Sequence, residues 1–168
     1  MKQVFYFFAL LFLFNCTEKS NKKNHSIIGK TFSELKHVEH LSNYGKISDT
    51  VIYGDYVGAK HGILHLQNRN QNLILFNRVE RGASLEREYN VLDTLVIPRE
   101  GDSKFVTIGY CQINNKNDEN LIVLAKKTDS LKIKTIFKAW RANTKSEKIE
   151  PVNHLDSINC FNEWFEPF

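Results

Sequence analysis

Residues 121–141 read LIVLAKKTDSLKIKTIFKAWR. Two β-rich runs, Leu121–Lys127 and Leu131–Arg141, flank the turn signal Thr128-Asp129-Ser130, which is the pattern of a β-hairpin. A turn centred on Asp129 sets Lys127 opposite Leu131 and Ala125 opposite Ile133. One face then carries Leu121, Val123, Ala125, Ile133, Phe137 and Ala139. The other carries Lys126, Lys132, Lys134 and Lys138, with Ile122, Leu124, Ile136 and Trp140 among them. Period two with one apolar face is what a half-buried sheet requires.

The same pattern recurs outward along the chain. Short β-rich runs occupy Thr50–Val57, Ile63–Gln67, Asn72–Val79, Val91–Ile97 and Lys104–Ile113. Turn signals stand between them: Gly58, Asn68-Arg69-Asn70, Pro98 to Asp102 and Asn114 to Asn120. Connections this short leave no room for helical crossovers, so the strands are expected to pair antiparallel. Only Thr31–Leu41 reads as helix. Thr31-Phe32-Ser33-Glu34 fits a capping box, and Phe32, Leu35, Val38 and Leu41 recur at helical spacing. Glu80–Tyr89 has room for a second helical turn. The expected fold is mainly β: an antiparallel sheet folded as a small sandwich or barrel, with one N-terminal helix. An α+β arrangement is the alternative.

Composition sets the outer limits. The chain has 168 residues, 42% hydrophobic and 25% charged, with eight Gly and three Pro, which excludes a disordered or collagen-like chain. At this length one domain is the default, and folding buries about 70% of the unfolded surface. The net charge of +4 is too small to indicate nucleic-acid binding, and no nucleic-acid partner is expected.

The first residues are of another kind. Lys2 precedes an unbroken apolar run from Val4 to Phe14, and Asn15-Cys16 follow. Eleven helical residues reach about 16 Å, half the thickness of a bilayer core, so the run is too short to span one. A basic start, a short apolar run and a polar exit make a secretory signal peptide, residues 1–15. Leu13-Phe14-Asn15-Cys16 resembles the lipobox of bacterial lipoproteins, with Asn15 where a smaller residue is usual. That resemblance implies cleavage before Cys16, a diacylglycerol on its sulfur, and a membrane anchor. Residues 16–26 then form the lipidated Cys and a polar tether, with no apolar side chain from Thr17 to Ser26. Residues 27–168 form a single globular domain. Acidity after the Cys is limited to Glu18, which favours the periplasmic side of the outer membrane over the cell surface. Further along, Lys138 to Asn143 and Asn159 to Glu163 are similar to small uncharacterised lipoproteins of the Bacteroidota, a resemblance that brings no chemistry with it.

Lipidation of Cys16 leaves two cysteines, Cys111 and Cys160, in an oxidising compartment. They are expected to pair, closing a long loop and pinning the aromatics Phe161, Trp164 and Phe165 against the sheet.

Catalytic signals are poor. His37 and His40 are close enough to share a metal, but no third ligand sits nearby, and exposed histidines are the better account. His61 and His65 lie about 13 Å apart if their segment is a strand, too far to hold one ion. Asn114–Asn120 is rich in oxygen ligands but lacks the Gly turn and terminal Glu of a calcium loop. Ser84 is outside any Gly-x-Ser-x-Gly elbow, and the adjacency of His154, Asp156 and Ser157 is no triad geometry. No catalytic residue, metal site or cofactor is expected. Lys126 to Lys148 holds eight basic residues against Asp129 and Glu147. Lys126, Lys132, Lys134, Lys138 and Trp140 could therefore form a basic binding face for a protein or an anionic envelope component. The expected function is a non-enzymatic envelope lipoprotein whose domain binds another molecule, foremost a protein, in an immunity-like or assembly-accessory role. A periplasmic hydrolase with an unrecognised site and a small-ligand carrier are the alternatives. A concave pocket with convergent polar groups would favour either alternative, and a flat basic face the protein binder.

Overall fold

The computed structural model describes residues 26–53, 60–81 and 87–165. The apolar run, Cys16 and all of the tether but Ser26 lie outside the described residues, as do 54–59, 82–86 and 166–168. In chain order the strands are β1 (Thr31–Phe32), β2 (Gly45–Ile52), β3 (His61–Gln67), β4 (Gln71–Arg81), β5 (Arg87–Pro98) and β6 (Lys104–Ile108). They continue as β7 (Cys111–Ile113), β8 (Lys116–Asn117), β9 (Leu121–Lys126), β10 (Lys132–Ile133), β11 (Ile136–Asn143), β12 (Lys148–Val152) and β13 (Ile158–Phe161). The fold is mainly β, as the sequence indicates. Three antiparallel sheets form, in the orders β1-β5-β4-β3-β2, β12-β11-β9-β6 and β10-β13-β7-β8, and none closes into a barrel.

The sheets stack in layers. Ile63, Ile74, Phe76 and Ile97 of the first sheet pack with Val106, Ile122 and Leu124 of the second. The second sheet's other face, with Leu121, Val123 and Ala125, packs on Cys111, Ile133 and Cys160 of the third. On the outer side of the first sheet, Leu64, Leu66, Leu75 and Val91 lie beneath Phe32, Val38 and Leu41 of the N-terminal segment. Strands β3, β4 and β9 are thus covered on both faces. That is why they carry continuous apolar runs instead of strict alternation.

This layering corrects the reading of residues 121–141. Leu121 to Ala125 are all buried, not only the odd-numbered ones. Ala125 stands opposite Ile136, whereas Ile133 pairs with Cys160 in the third sheet. The chain between them peels away to serve two sheets, and a bulge between Ile136 and Lys138 absorbs the change of register. Val123 opposite Ala139 and Ile122 opposite Trp140 keep the faces expected for them.

Two other elements differ from expectation. Thr31–Leu41 is not a continuous helix: Thr31 and Phe32 pair with Asn90 and Tyr89, and the helical part is one 3-10 turn, Leu35–His37. Pairing with the first sheet buries the same apolar side chains that helical spacing would have placed on one face. In the segment Glu80–Tyr89, Glu80, Arg81 and Arg87 to Tyr89 are strand residues of the β4–β5 hairpin beside its turn, and 82–86, where a helical turn had room, lie outside the described residues. Lys104–Ile113 is divided at Gly109, whose φ of +82° is open to glycine without strain, so that β6 and β7 join different sheets. Asn114 and Asn115, both left-handed, close the β7–β8 hairpin, so the turn expected over Asn114 to Asn120 holds a two-residue strand within it.

Cys111 and Cys160 face each other in register across β7 and β13. They are joined as a disulfide, with Cα atoms 4.1 Å apart.

Candidate ligand cleft

At one end of the stacked sheets lies a cleft of about 720 Å³, within the size range of small-molecule sites. Three pieces of chain build it. The first is the β3–β4 hairpin. Its turn is fixed by Asn68, whose side-chain oxygen accepts the backbone N–H groups of Asn70 and Gln71 at 2.9 and 3.0 Å. The strand ends that flank this turn place Gln67 opposite Asn72, both lining the cleft.

These two amides belong to a polar trio in which Asn72 and His65 are buried and Gln67 is half-buried. Asn72 Oδ1 accepts from Gln67 Nε2 at 2.8 Å and meets His65 Nε2 at 2.9 Å. An oxygen acceptor requires the imidazole to donate, so the proton of the neutral ring sits on Nε2. His65 is only 3% exposed, and burial pulls its pKa below the ordinary value of 6.5, with the Asn72 contact opposing. Asn72, buried too, offers its own N–H to the Ile97 carbonyl.

The second piece is the connection from β5 to β6. Arg99 Nη2 meets Asp102 Oδ1 at 3.3 Å, and Lys104 pairs with Glu100. The hydrogen bond from the Lys104 ammonium holds the Glu100 carboxyl below its ordinary range. Lys104 also lies over the Phe137 ring, 4.7 Å from its centroid.

The third piece is the C-terminal arm. Asn162 is buried and makes four contacts: its backbone N–H to the Leu131 carbonyl (2.8 Å), its Nδ2 to the Thr128 carbonyl (2.8 Å), its Oδ1 from the Trp164 N–H (3.1 Å) and its carbonyl from the Phe165 N–H (3.2 Å). The arm is thereby tied to the loop holding Lys127, Thr128 and Asp129, which lines the cleft from the same side. Phe165 is half-buried, but Trp164 is 70% exposed at the rim. The expectation that the arm's aromatics dock onto the sheet therefore fails for Trp164. Its backbone is clamped so that the indole projects.

The basic residues singled out by sequence are distributed over two sheets and the connection between them. Lys126 stands opposite Lys104 and Lys138 opposite Leu124, both in the second sheet. Lys132 stands opposite Phe161 in the third sheet, and Lys134 lies on the connection between the two. All four lysines are exposed, whereas Trp140 packs against the core between the first and second sheets. His37 and His40 are exposed, and His61 sits 3.6 Å from Glu147, away from His65. Ser157 Oγ donates to the backbone carbonyl of His154, not to its ring. No group of three or more potential metal ligands occurs among the described residues, and Cys16 and Ser84 lie outside them.

Sequence reading missed Gln67, Asn72 and Asn162. The available signal was weak: two amides ending otherwise apolar strands, on either side of a turn. No protein-family model matches the chain, and no curated protein or solved structure matches it.

Proposed function

We propose that this is a lipid-anchored cell-envelope protein whose β domain binds another envelope component without changing it, and that binding takes place in the end cleft. The cleft carries this reading. It gathers two amides on its floor, charged groups of both signs on its walls and an aromatic at its rim, where the lysines of the expected basic face are spread over two sheets. Its floor supports binding over catalysis. The His65 Nε2–H is spent on Asn72 and burial disfavours its protonation, so the floor offers amides, which orient a partner and do not shuttle protons.

The anchor rests on the lipobox-like Leu13-Phe14-Asn15-Cys16, with the outer membrane as its site and the periplasm as the compartment the domain faces. The paired Cys111 and Cys160 support an oxidising compartment. Metabolic labelling with a radioactive fatty acid tests this part. The wild-type protein is expected to take up label and partition into detergent. Cys16→Ala is expected to lose the label and to accumulate as uncleaved precursor. A soluble mature form with an unmodified Cys16 overturns the anchor.

A further inference from the structure

The cleft's charges cancel. Arg99, Lys104 and Lys127 line it against Glu100, Asp102 and Asp129, three of each sign. Two of the cations are already engaged by neighbouring carboxylates. Such a lining gives neither an anion nor a cation a net field to enter. It does present many hydrogen-bonding groups of opposite kinds side by side. The floor repeats the theme: Gln67 gives an amide N–H to Asn72, and among the described residues its Oε1 accepts nothing. A ligand satisfied here must donate and accept at closely spaced points.

The rim adds an apolar requirement. Trp164 is exposed, yet Asn162 fixes the backbone on both sides of it, so the ring is held out instead of fraying. A hydrocarbon chain would cover the indole but would leave the Gln67 Oε1 unpaired beneath its end. Hydroxyl groups along one edge and an apolar C–H face suited to an aromatic ring are the two properties of a pyranose.

We infer that the cleft binds a neutral, hydroxyl-rich saccharide, with a sugar ring laid on Trp164 and a hydroxyl meeting Gln67, which Asn72 holds in place from behind. This rests on the end cleft being the binding site. Asn162 is a positioning residue, since it holds Trp164 without facing the ligand.

The test uses the mature lipoprotein in a zwitterionic, sugar-free detergent. Probes are neutral gluco-, manno-, xylo- and chito-oligosaccharides, with polygalacturonate and oleate as charged and lipid comparators. Readouts are calorimetric titration and the NMR signals of the Trp164 indole N–H and the Gln67 and Asn72 side-chain amides. One neutral series is expected to bind saturably and to move all three signals. Trp164→Ala, at an exposed position the fold does not depend on, should weaken that binding roughly tenfold or more, Trp164→Phe less, and Lys126→Ala not at all. Binding unchanged in Trp164→Ala overturns the proposal. Polygalacturonate or oleate moving the cleft signals while the neutral sugars stay silent also overturns it, and leaves the cleft standing as a binding site. If no probe moves them, and a photo-crosslinking residue at position 129 captures nothing in intact cells, the cleft reading falls as well.

Discussion

His65 is held neutral inside the sandwich, and that has a consequence for stability. Burial lowers its pKa from 6.5, so as pH falls the unfolded chain takes up a proton before the folded one does. The contribution of the neutral ring is present above the unfolded value and is lost as pH drops from about 6.5 towards the folded value. Each pKa unit of depression removes about 1.36 kcal/mol over that interval. Thermal melts at pH 8 and pH 5 are therefore expected to differ more for wild type than for His65→Gln, which can still donate to Asn72 but does not titrate. Equal differences would mean that His65 titrates in the fold as it does in the unfolded chain. Little of this was legible beforehand. A histidine within Gly62-Ile63-Leu64-His65-Leu66 announces burial, but its partner, seven positions on across a hairpin, becomes visible only with the register. Gln67 and Asn72 read as polar strand ends for the same reason.

Elements were legible where side chains alone decide them. Strands β3, β4, β5 and β9 are long, rich in apolar and β-branched residues, and bounded by Asn, Pro or Gly turns, so local preference and tertiary burial agree. The misreadings fall where pairing overrides local pattern. β12 contains Pro151 and Glu150, which argue against a strand. It exists because it is an edge, where a missing N–H costs no ladder bond. The Thr31–Leu41 segment has helical spacing, yet its side chains descend onto the first sheet from a two-residue strand and a 3-10 turn. Phe32, Val38 and Leu41 are buried there as part of the core, not as a surface helix. Leu41→Ala should accordingly cost about 2–5 kcal/mol, the range for a buried leucine. It should lower Tm by about 2–4 °C for each kcal/mol. Lys36→Ala, exposed on the same segment, should stay within about 0.5 kcal/mol. If the two variants melt together, the segment is a loose strap and the outer face of the first sheet is stable without it.

At the scale of the molecule, the third sheet is small and depends on distant contacts. β10 and β8 have two residues each, β7 three and β13 four, and no strand within it is long enough to hold its place alone. What gathers it is burial against the second sheet and the bond between Cys111 and Cys160, 49 residues apart in sequence. Closing a loop of that length removes chain entropy from the unfolded state worth about 4 kcal/mol, a large share of a domain's net stability. The same bond lies two residues before Asn162, so it also fixes where the C-terminal arm begins, and with it Trp164 at the cleft. With Cys16 lipidated as proposed, unfolding the mature protein without reductant should therefore expose no reactive thiol, whereas adding reductant first should expose two per chain. Paired substitution of Cys111 and Cys160 by serine should lower the urea midpoint by an amount corresponding to about 2–5 kcal/mol. It should also loosen the arm, read as faster hydrogen exchange at the Trp164 and Phe165 amides, which Asn162 otherwise protects. Two labelled thiols in the unreduced, unfolded protein would show that the cysteines are separately buried. The third sheet would then be held by packing alone, and the arm's position would owe nothing to the bond.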